Sequence, residues 1–175
     1  MSIDIPAWVN GILQPVEKLA VHQQGLKHKA ISVFVIRDGH TLLQQRAASK
    51  YHTPGLWANA CCTHPFWEED SGVCAERRLE EELGIHGLDL RFRDTVEYHA
   101  DVGGGLTEHE VVDIFVAAAP KNMPVALNPD EVQATRWIPI AHLAEEVTRN
   151  PANYTPWLRI YVAQFSDLIF GKELV

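Results

Sequence analysis

A thiol and an imidazole lie two positions apart in the sequence, at Cys62 and His64. In an extended segment, side chains two positions apart share a face, so these two groups would point in the same direction. Reduced thiols and imidazoles can bind metal ions or transfer protons. For an isolated pair, however, a small buried cysteine beside a hydrogen-bonded histidine is the commoner arrangement. The pair becomes informative only together with other residues.

A second cluster is the run Glu108-His109-Glu110. In a strand, alternation places both carboxylates on one face and His109 on the other. Two neighbouring carboxylates repel each other unless a cation joins them or one of them takes a proton. The alternative is a solvated strand edge, but the residues that follow are strongly apolar, so this strand is expected to enter a core.

Two further histidines, His22 and His28, precede the first predicted strand. Histidines near an N-terminus are usually exposed and have no special role. Together with His64, Glu108 and Glu110, they form a candidate set of three imidazoles and two carboxylates. Mixed nitrogen and oxygen ligands of this kind suit Zn²⁺ or Mn²⁺. The sequence therefore predicts a metal site assembled from three separated segments.

Residues 71–83 lack proline and are rich in helix-forming residues, and Gly84 stands where a C-terminal cap belongs. The pattern predicts a helix. Four-residue spacing brings Arg78 and Glu82 onto one face, with Glu81 close to Arg78. A surface helix with ion pairs is one interpretation of these charges, and a binding helix is the other.

The remaining elements must position these clusters. A β-branched run followed by an Asp-Gly turn predicts a hairpin of strands over 29–37 and 40–46. The pattern indicates further strands over 89–99, 108–118 and 132–138, and closing helices over 140–149 and 157–170. We expect one mixed α/β domain over residues 29–175, preceded by an N-terminal extension over residues 1–28 that packs on it.

The composition excludes several classes of protein. The 175 residues include 15 Lys and Arg against 23 Asp and Glu, a formal net charge of −8. Such acidity disfavours binding to nucleic acid or to an anionic membrane. No apolar run approaches the ~20 residues that span a bilayer, and the N-terminus lacks the pattern of a signal peptide. We expect a cytoplasmic protein without a disulfide framework, since its three cysteines are odd in number and two are adjacent.

The helix and the residues before it resemble the diphosphate-binding and metal-binding motif of the Nudix superfamily. The resemblance extends over residues 69–85, from Glu69 through Arg77-Arg78-Leu79 to Glu81-Glu82-Leu83-Gly84-Ile85. Two positions differ from the pattern of the hydrolases. Thr63 replaces the opening glycine, and Arg78 replaces a glutamate that hydrolytic members generally use as a metal ligand. These differences count against hydrolysis of nucleotide diphosphates.

Several separated motifs, from Pro15 to Trp157, resemble type I isopentenyl-diphosphate isomerases, which are Nudix relatives that move a double bond. These motifs are the segments 46–50 (RAASK), 54–59 (PGLWAN), 62–65 (CTHP) and 108–110 (EHE). The resemblance implies an α/β/α sandwich around a mixed sheet, and conversion of isopentenyl diphosphate to dimethylallyl diphosphate in isoprenoid biosynthesis.

The resemblance also implies a role for each matching residue. Cys62 and Glu110 resemble the acid/base pair of the family. A divalent metal, Mn²⁺ or Zn²⁺, is implied for His22, His28, His64, Glu108 and Glu110. Glu82 resembles the ligand of a Mg²⁺ that bridges to the diphosphate. The positions implied to contact the substrate are Lys18, Arg46, Lys50 and Arg78 for the diphosphate, and Tyr98 and Trp157 for the hydrocarbon.

Two other functions stay open on the residues alone. A Nudix pyrophosphohydrolase would release phosphate and would carry a glutamate in place of Arg78. A metal-binding or thiol-redox domain without this catalysis would explain the His, Cys and Glu residues but not the helix motif or the four cations. The sequence does not indicate an oligomeric state.

Overall fold

The computed structural model describes residues 3–171. Its strands are β1 (Asp4–Val9), β2 (Ile12–Glu17), β3 (Lys27–Arg37), β4 (His40–Arg46), β5 (Trp57–Asn59), β6 (Cys61–Thr63), β7 (Arg91–Gly103), β8 (Leu106–Ala118) and β9 (Val132–Pro139). Its helices are α1 (Lys18–Gln24), α2 (Ser71–Leu83), α3 (Ile140–Arg149), α4 (Pro156–Gln164) and α5 (Ser166–Phe170), with a 3₁₀ turn at Pro151–Asn153. No described helix combines the length and apolar composition needed to cross a membrane.

The sheet is organised around β3. One edge of β3 pairs in parallel with β8 over ten positions, from Lys27 opposite His109 to Ile36 opposite Ala118. The other edge pairs with β1, β6 and β4 in succession, all antiparallel. The β7–β8 hairpin and the β4–β9 pair extend the sheet on either side. The sheet is mixed, as predicted.

Side chains on β3 alternate between two cores. Ile31, Val33 and Val35 face the core that α2 covers, whereas Ala30 and Phe34 face the core that includes α3, α4 and α5. A strand buried on both faces needs this nearly continuous apolar run. The arrangement is an α/β/α sandwich, which confirms the predicted fold class.

The N-terminal residues form regular structure of their own. The β1–β2 hairpin and α1 enclose a small third core that includes Ile5, Ala7 and Val21. β1 joins the main sheet where Ala7 lies opposite His28. The expected boundary between residues 28 and 29 lies within β3, and the division into extension and domain stays a prediction.

The structure corrects the extent of three predicted elements. Strand β7 continues to Gly103 and β8 begins at Leu106, so the glycine-rich loop between them is shorter than predicted. Gly104 and Gly105 in this loop have positive φ. The helix predicted over 157–170 is two helices separated at Phe165, whose φ of −126° and ψ of 13° lie outside helical values. The short strands β5 and β6 were not predicted.

Helix α2 is capped at both ends by side-chain and backbone contacts. The carboxylate of Asp70 accepts hydrogen bonds from the backbone N–H groups of Gly72 and Val73, the usual arrangement at a helix start. Gly84 ends the helix at a φ of 62°, a conformation that favours glycine. The predicted bounds of this helix are confirmed.

Candidate metal and diphosphate site

Strand β8 delivers two carboxylates to a closed interior. Glu108 and Glu110 are each 2% exposed, while His109 points to the opposite face and contacts Glu97 at 2.9 Å. The predicted alternation is therefore confirmed. The solvated-edge interpretation is wrong for Glu108 and Glu110.

Three histidines from different elements surround these carboxylates. The Nε2 atoms of His22 on α1 and His28 on β3 lie 3.1 and 3.2 Å from Oε2 of Glu108. The Nε2 atom of His64, which follows β6, lies 2.9 Å from Oε1 of Glu110. Ligand atoms of His22, His28, His64 and Glu108 all lie within 4.8 Å of one another. The structure thus brings the predicted ligand set together.

The outer ring nitrogens of two histidines contact backbone carbonyls. Nδ1 of His22 lies 2.6 Å from the carbonyl oxygen of Lys18, and Nδ1 of His28 lies 2.7 Å from that of Leu26. A carbonyl only accepts, so each Nδ1 carries the proton and donates. In the neutral ring, each Nε2 then presents a lone pair to the carboxylates.

Facing lone pairs repel each other unless a cation or a proton lies between them. Nε2 of His22 is buried and has no hydrogen-bond partner among residues 3–171. Although burial lowers the pKa of His28, hydrogen bonds with Glu108 and Glu110 outweigh it and raise the pKa to about 10. The site therefore attracts positive charge, and its donor set fits a divalent metal ion.

Beside this cluster, Cys62 and Glu110 line a common cavity. Burial raises the pKa of the Cys62 thiol well above its ordinary value, and the charge of Glu110 adds to the increase. The hydroxyl of Tyr98 donates a hydrogen bond to Oε2 of Glu110. This cavity holds one protonated thiol and one hydrogen-bonded carboxylate.

The cysteines that the sequence left without a role lie elsewhere. Cys61 and Cys74 are buried in the core under α2, on the opposite side of the sheet from the core against which Cys62 packs. Burial raises the pKa of both thiols. Their surroundings indicate a packing role.

Of the two predicted aromatic residues, Trp157 lines the cavity, whereas Tyr98 does not line it and contacts Glu110 from behind. Trp157 is buried at the start of α4, and the guanidinium of Arg46 lies 5.3 Å from the centre of its ring. Tyr98 packs edge-on against Tyr161, which in turn hydrogen-bonds with Ser32 at 2.9 Å. Tyr161 was not among the predicted residues.

The four predicted cations also line the cavity: Lys18, Arg46, Lys50 and Arg78. Lys50 forms an ion pair with Glu131, and Arg78 lies 3.4 Å from the same carboxylate. Burial lowers the pKa of Lys18, and the charges of Lys50 and Arg78 lower it further. The charge of Lys18 is therefore destabilised in the pocket, and a bound anion would stabilise it.

Glu82, the predicted Mg²⁺ ligand, has both carboxylate oxygens engaged. Arg78 donates to Oε1, and the side-chain amide of Gln44 donates to Oε2 at 2.8 Å. The neighbouring motif residues Glu69 and Arg77 form a bidentate pair at 2.7 and 2.8 Å that fixes the start of the helix. The helix motif thus divides into a structural pair and a cavity-facing pair.

Three residues of the site carried no signal in the sequence. His52 contacts Glu108, Gln44 contacts Glu82, and Glu131 contacts Lys50. All three line the same cavity. The alternating pattern of β4 places Gln44 on a buried face, but nothing in the sequence alone identifies its partner.

Comparison with known proteins places the chain in a family. The NUDIX domain family matches residues 26–158. The protein DR0079 from Deinococcus radiodurans has the same fold, with a TM-score of 0.73 at 13% identity over 94% of this chain and 98% of that one. A MutT NUDIX hydrolase from Burkholderia pseudomallei superposes with a TM-score of 0.61 at 26% identity, over 79% and 98% of the two chains. The chain therefore belongs to the Nudix family.

Curated relatives define its place within that family. A protein from Jannaschia sp. (strain CCS1) is 62% identical over 170 residues, which are 97% of each chain. A protein from Cereibacter sphaeroides (strain ATCC 17025) is 63% identical over 168 residues, or 96% of this chain and 95% of that one. Both carry the name isopentenyl-diphosphate Delta-isomerase, and the chain belongs to this family of enzymes.

Proposed function

We propose that the protein interconverts isopentenyl diphosphate and dimethylallyl diphosphate by moving one carbon–carbon double bond. The observation that carries the proposal is the shared cavity, in which a thiol, Cys62, and a carboxylate, Glu110, lie beside four cations. The names of relatives about 60% identical over nearly the full chain support the same reaction.

The acid/base work falls to Cys62 and Glu110. One of them protonates the terminal alkene carbon to give a tertiary carbocation, and the other removes a proton from the allylic carbon on the opposite face. An alkene is a poor base, so the acid must be well placed and water must be excluded. Tyr98 orients Glu110 through its hydrogen bond.

A divalent metal ion, Mn²⁺ or Zn²⁺, would be held by His22, His28, His64, Glu108 and Glu110. When bound, it supplies positive charge that orients Glu110 and changes its affinity for a proton. The carbonyl contacts that fix the rings of His22 and His28 resemble the outer contacts that metal-binding histidines usually make.

The diphosphate would bind to Lys18, Arg46, Lys50 and Arg78, with Mg²⁺ on Glu82. Each oxygen of Glu82 accepts a hydrogen bond and keeps a second lone pair with which it could hold the ion. The guanidinium of Arg78 lies beside it, and its planar fork is suited to a diphosphate.

The hydrocarbon end would lie between Tyr98 and Trp157. A buried indole attracts positive charge through its π face, and this attraction is stronger where water is excluded. Trp157 can therefore stabilise the carbocation without providing a base that would trap it. The cytoplasmic location, and the absence of nucleic-acid or membrane partners, stay predictions of the sequence.

The decisive experiment is incubation of the protein with isopentenyl diphosphate, Mg²⁺ and either Mn²⁺ or Zn²⁺ in deuterated water. We expect an acid-labile allylic diphosphate and incorporation of deuterium, both detected by NMR. Release of inorganic phosphate or pyrophosphate without deuterium incorporation would instead indicate a Nudix hydrolase. Heat-treated protein serves as the control for exchange that does not depend on the enzyme.

A further inference from the structure

A fourth histidine, His52, lies against the cluster of metal-ligand residues. It belongs to the loop between β4 and β5 and is 8% exposed. Its ring centre lies 6.0 Å from those of both His22 and Trp157, and 4.4 Å from that of Tyr51. His52 therefore connects the proposed metal site with the aromatic wall of the cavity.

The two oxygens of Glu108 have different neighbours. Oε2 faces the three proposed ligands His22, His28 and His64 at 3.1, 3.2 and 3.8 Å. Oε1 lies 3.4 Å from Nε2 of His52. The carboxylate is thus held between the ligand cluster on one side and His52 on the other.

The loop fixes the ring of His52 from its far side. Nδ1 of His52 lies 3.1 Å from the hydroxyl of Thr53, and the guanidinium of Arg46 donates to the carbonyl oxygen of His52 at 3.2 Å. Thr53 has a φ of +46°, which is strained for a β-branched residue. Strain of this kind concentrates at functional sites, where the surroundings enforce it.

We propose that His52 is a positioning residue that holds Oε1 of Glu108, so that Oε2 alone faces the metal ion. The inference rests on the metal site of the proposed function. In this arrangement the hydroxyl of Thr53 would donate to Nδ1, and the ring proton would lie on Nε2, which faces Oε1 of Glu108 at 3.4 Å. Without this contact, the carboxylate of Glu108 can rotate, and Oε1 can then compete with Oε2 for the metal ion.

The contacts of His52 agree with this role. Oε1 of Glu108 lies on one side of the ring and the hydroxyl of Thr53 lies on the other. A neutral imidazole has one donor and one acceptor, which match the carboxylate on one side and the hydroxyl on the other.

The test is the affinity of the metal-free full chain for Zn²⁺ and for Mn²⁺, measured by competition with a chromophoric chelator. Loss of an outer contact to a ligand typically weakens metal binding by about 10- to 100-fold, and we expect this for His52→Ala. His52→Gln keeps an N–H donor in the same place and should restore affinity to within a few-fold of wild type. His142→Ala, at an exposed histidine on α3, is the matched control and should bind normally.

Three results would overturn the inference. Unchanged affinity for the metal in a folded His52→Ala protein would show that the contact between His52 and Glu108 does not affect metal binding. An equal loss in His52→Gln, His52→Ala and His22→Ala would identify His52 as a direct ligand instead. Failure of the wild-type protein to bind either ion would refute the proposed metal site itself, a failure that is distinct from the first two.

A second pair of variants covers the case in which His52→Ala does not fold. Thr53→Val keeps the shape of the side chain but removes the hydroxyl, whereas Thr53→Ser keeps the hydroxyl. We expect weaker metal binding for Thr53→Val only. Equal affinities for the two variants would contradict the role given to the hydroxyl.

Discussion

At the scale of single residues, adjacent side chains on β6 have separate environments. Cys61 is buried in the core under α2, while Cys62 is partly exposed and faces the cavity. Alternation along a strand produces this separation. The chemistry of the site therefore depends on which of two neighbouring thiols faces Glu110.

Cys62→Ala and Glu110→Gln should each abolish isomerisation, because each removes one of the two groups that transfer protons. General acid/base groups typically contribute about 10²- to 10⁴-fold to a rate, so we expect a loss of at least this size. Turnover is measured by formation of the acid-labile product, with circular dichroism to check the fold.

Cys61→Ala is the matched control for Cys62→Ala. It removes a thiol one residue away on the opposite face, so turnover should stay close to wild type even if stability falls. A large loss of activity in Cys61→Ala, or normal turnover in Cys62→Ala, would contradict the assignment.

Arg78→Ala should weaken binding of inorganic pyrophosphate, because a charge-assisted hydrogen bond to the ligand is lost. Hydrogen bonds to charged groups contribute about 1.5–3 kcal/mol, which corresponds to roughly a 10- to 100-fold change in affinity. Isothermal titration calorimetry in the presence of Mg²⁺ measures the affinity for pyrophosphate. Arg91→Ala, at an exposed arginine on β7, should bind as wild type does, and equal affinities for the two variants would remove Arg78 from the diphosphate site.

Part of the site could be predicted because the local sequence determines which side chains share a face. The alternation of Glu108 and Glu110 follows from strand geometry alone, whereas the roles of Lys18 and Trp157 came only from the family resemblance. His52 and Glu131 were missed, since their partners Glu108 and Lys50 are distant in sequence. Only the tertiary fold brings such pairs together.

At the scale of elements, the end of α2 is joined to the segment that leads into β9. The backbone N–H of Ala126 donates to Leu83 at 2.8 Å, and that of Asn128 donates to Glu82 at 3.0 Å. A Cβ atom added to Gly84 would lie 2.8 Å from Cβ of Ala126. This close approach connects the helix that carries Glu82 with the segment that carries Glu131.

Gly84→Ala should therefore destabilise the protein more than Gly87→Ala does. Both glycines have positive φ, which costs a residue with a side chain about 1–2 kcal/mol, but an added Cβ at Gly87 meets no atom within 4 Å among the described residues. The difference between their free energies of unfolding, measured with urea, reports the steric clash at Gly84. Equal free energies of unfolding for the two variants would show that the segment near Ala126 moves enough to accommodate the added Cβ.

The main helices and the long strands could be predicted, because their periodicity and caps are local. Helix α2 extends over residues 71–83 and is capped by Gly84, as predicted, while the N-terminal cap at Asp70 was not predicted. The three-residue strands β5 and β6 could not be predicted, since pairing with β4 and β3 defines them rather than their composition. The β1–β2 hairpin was missed for a related reason, because its partly exposed strands lack a clear alternation.

At the scale of the whole molecule, the net charge of −8 does not describe the cavity. Four cations line it together with four carboxylates, those of Glu82, Glu108, Glu110 and Glu131. The proposed metal ions would therefore supply the excess of positive charge that an anionic substrate needs.

The stabilisation that a bound metal gives should increase with pH. The pKa of His28 is raised to about 10 in the folded chain, so its imidazolium stabilises the metal-free fold fully below about pH 6.5 and less as the pH rises towards 10. A metal ion must displace that proton, which becomes easier over the same range. The difference in Tm between protein with Mn²⁺ and protein with chelator should widen from about pH 6.5 to 8.5.

In His28→Gln, this group no longer titrates, so the widening should be smaller than in the wild-type protein. A difference in Tm that narrows with rising pH in the wild-type protein would contradict the role given to His28.

The parallel pairing of β3 with β8 also has a consequence for the order of folding. His28 and Glu108 are 80 residues apart in the sequence, and parallel strands pair slowly because a long loop must close first. The ligand cluster is therefore complete only after β3 and β8 have met. In refolding experiments with Co²⁺ present, the absorption of the bound ion should develop with the slowest phase, after most of the far-ultraviolet circular dichroism has recovered.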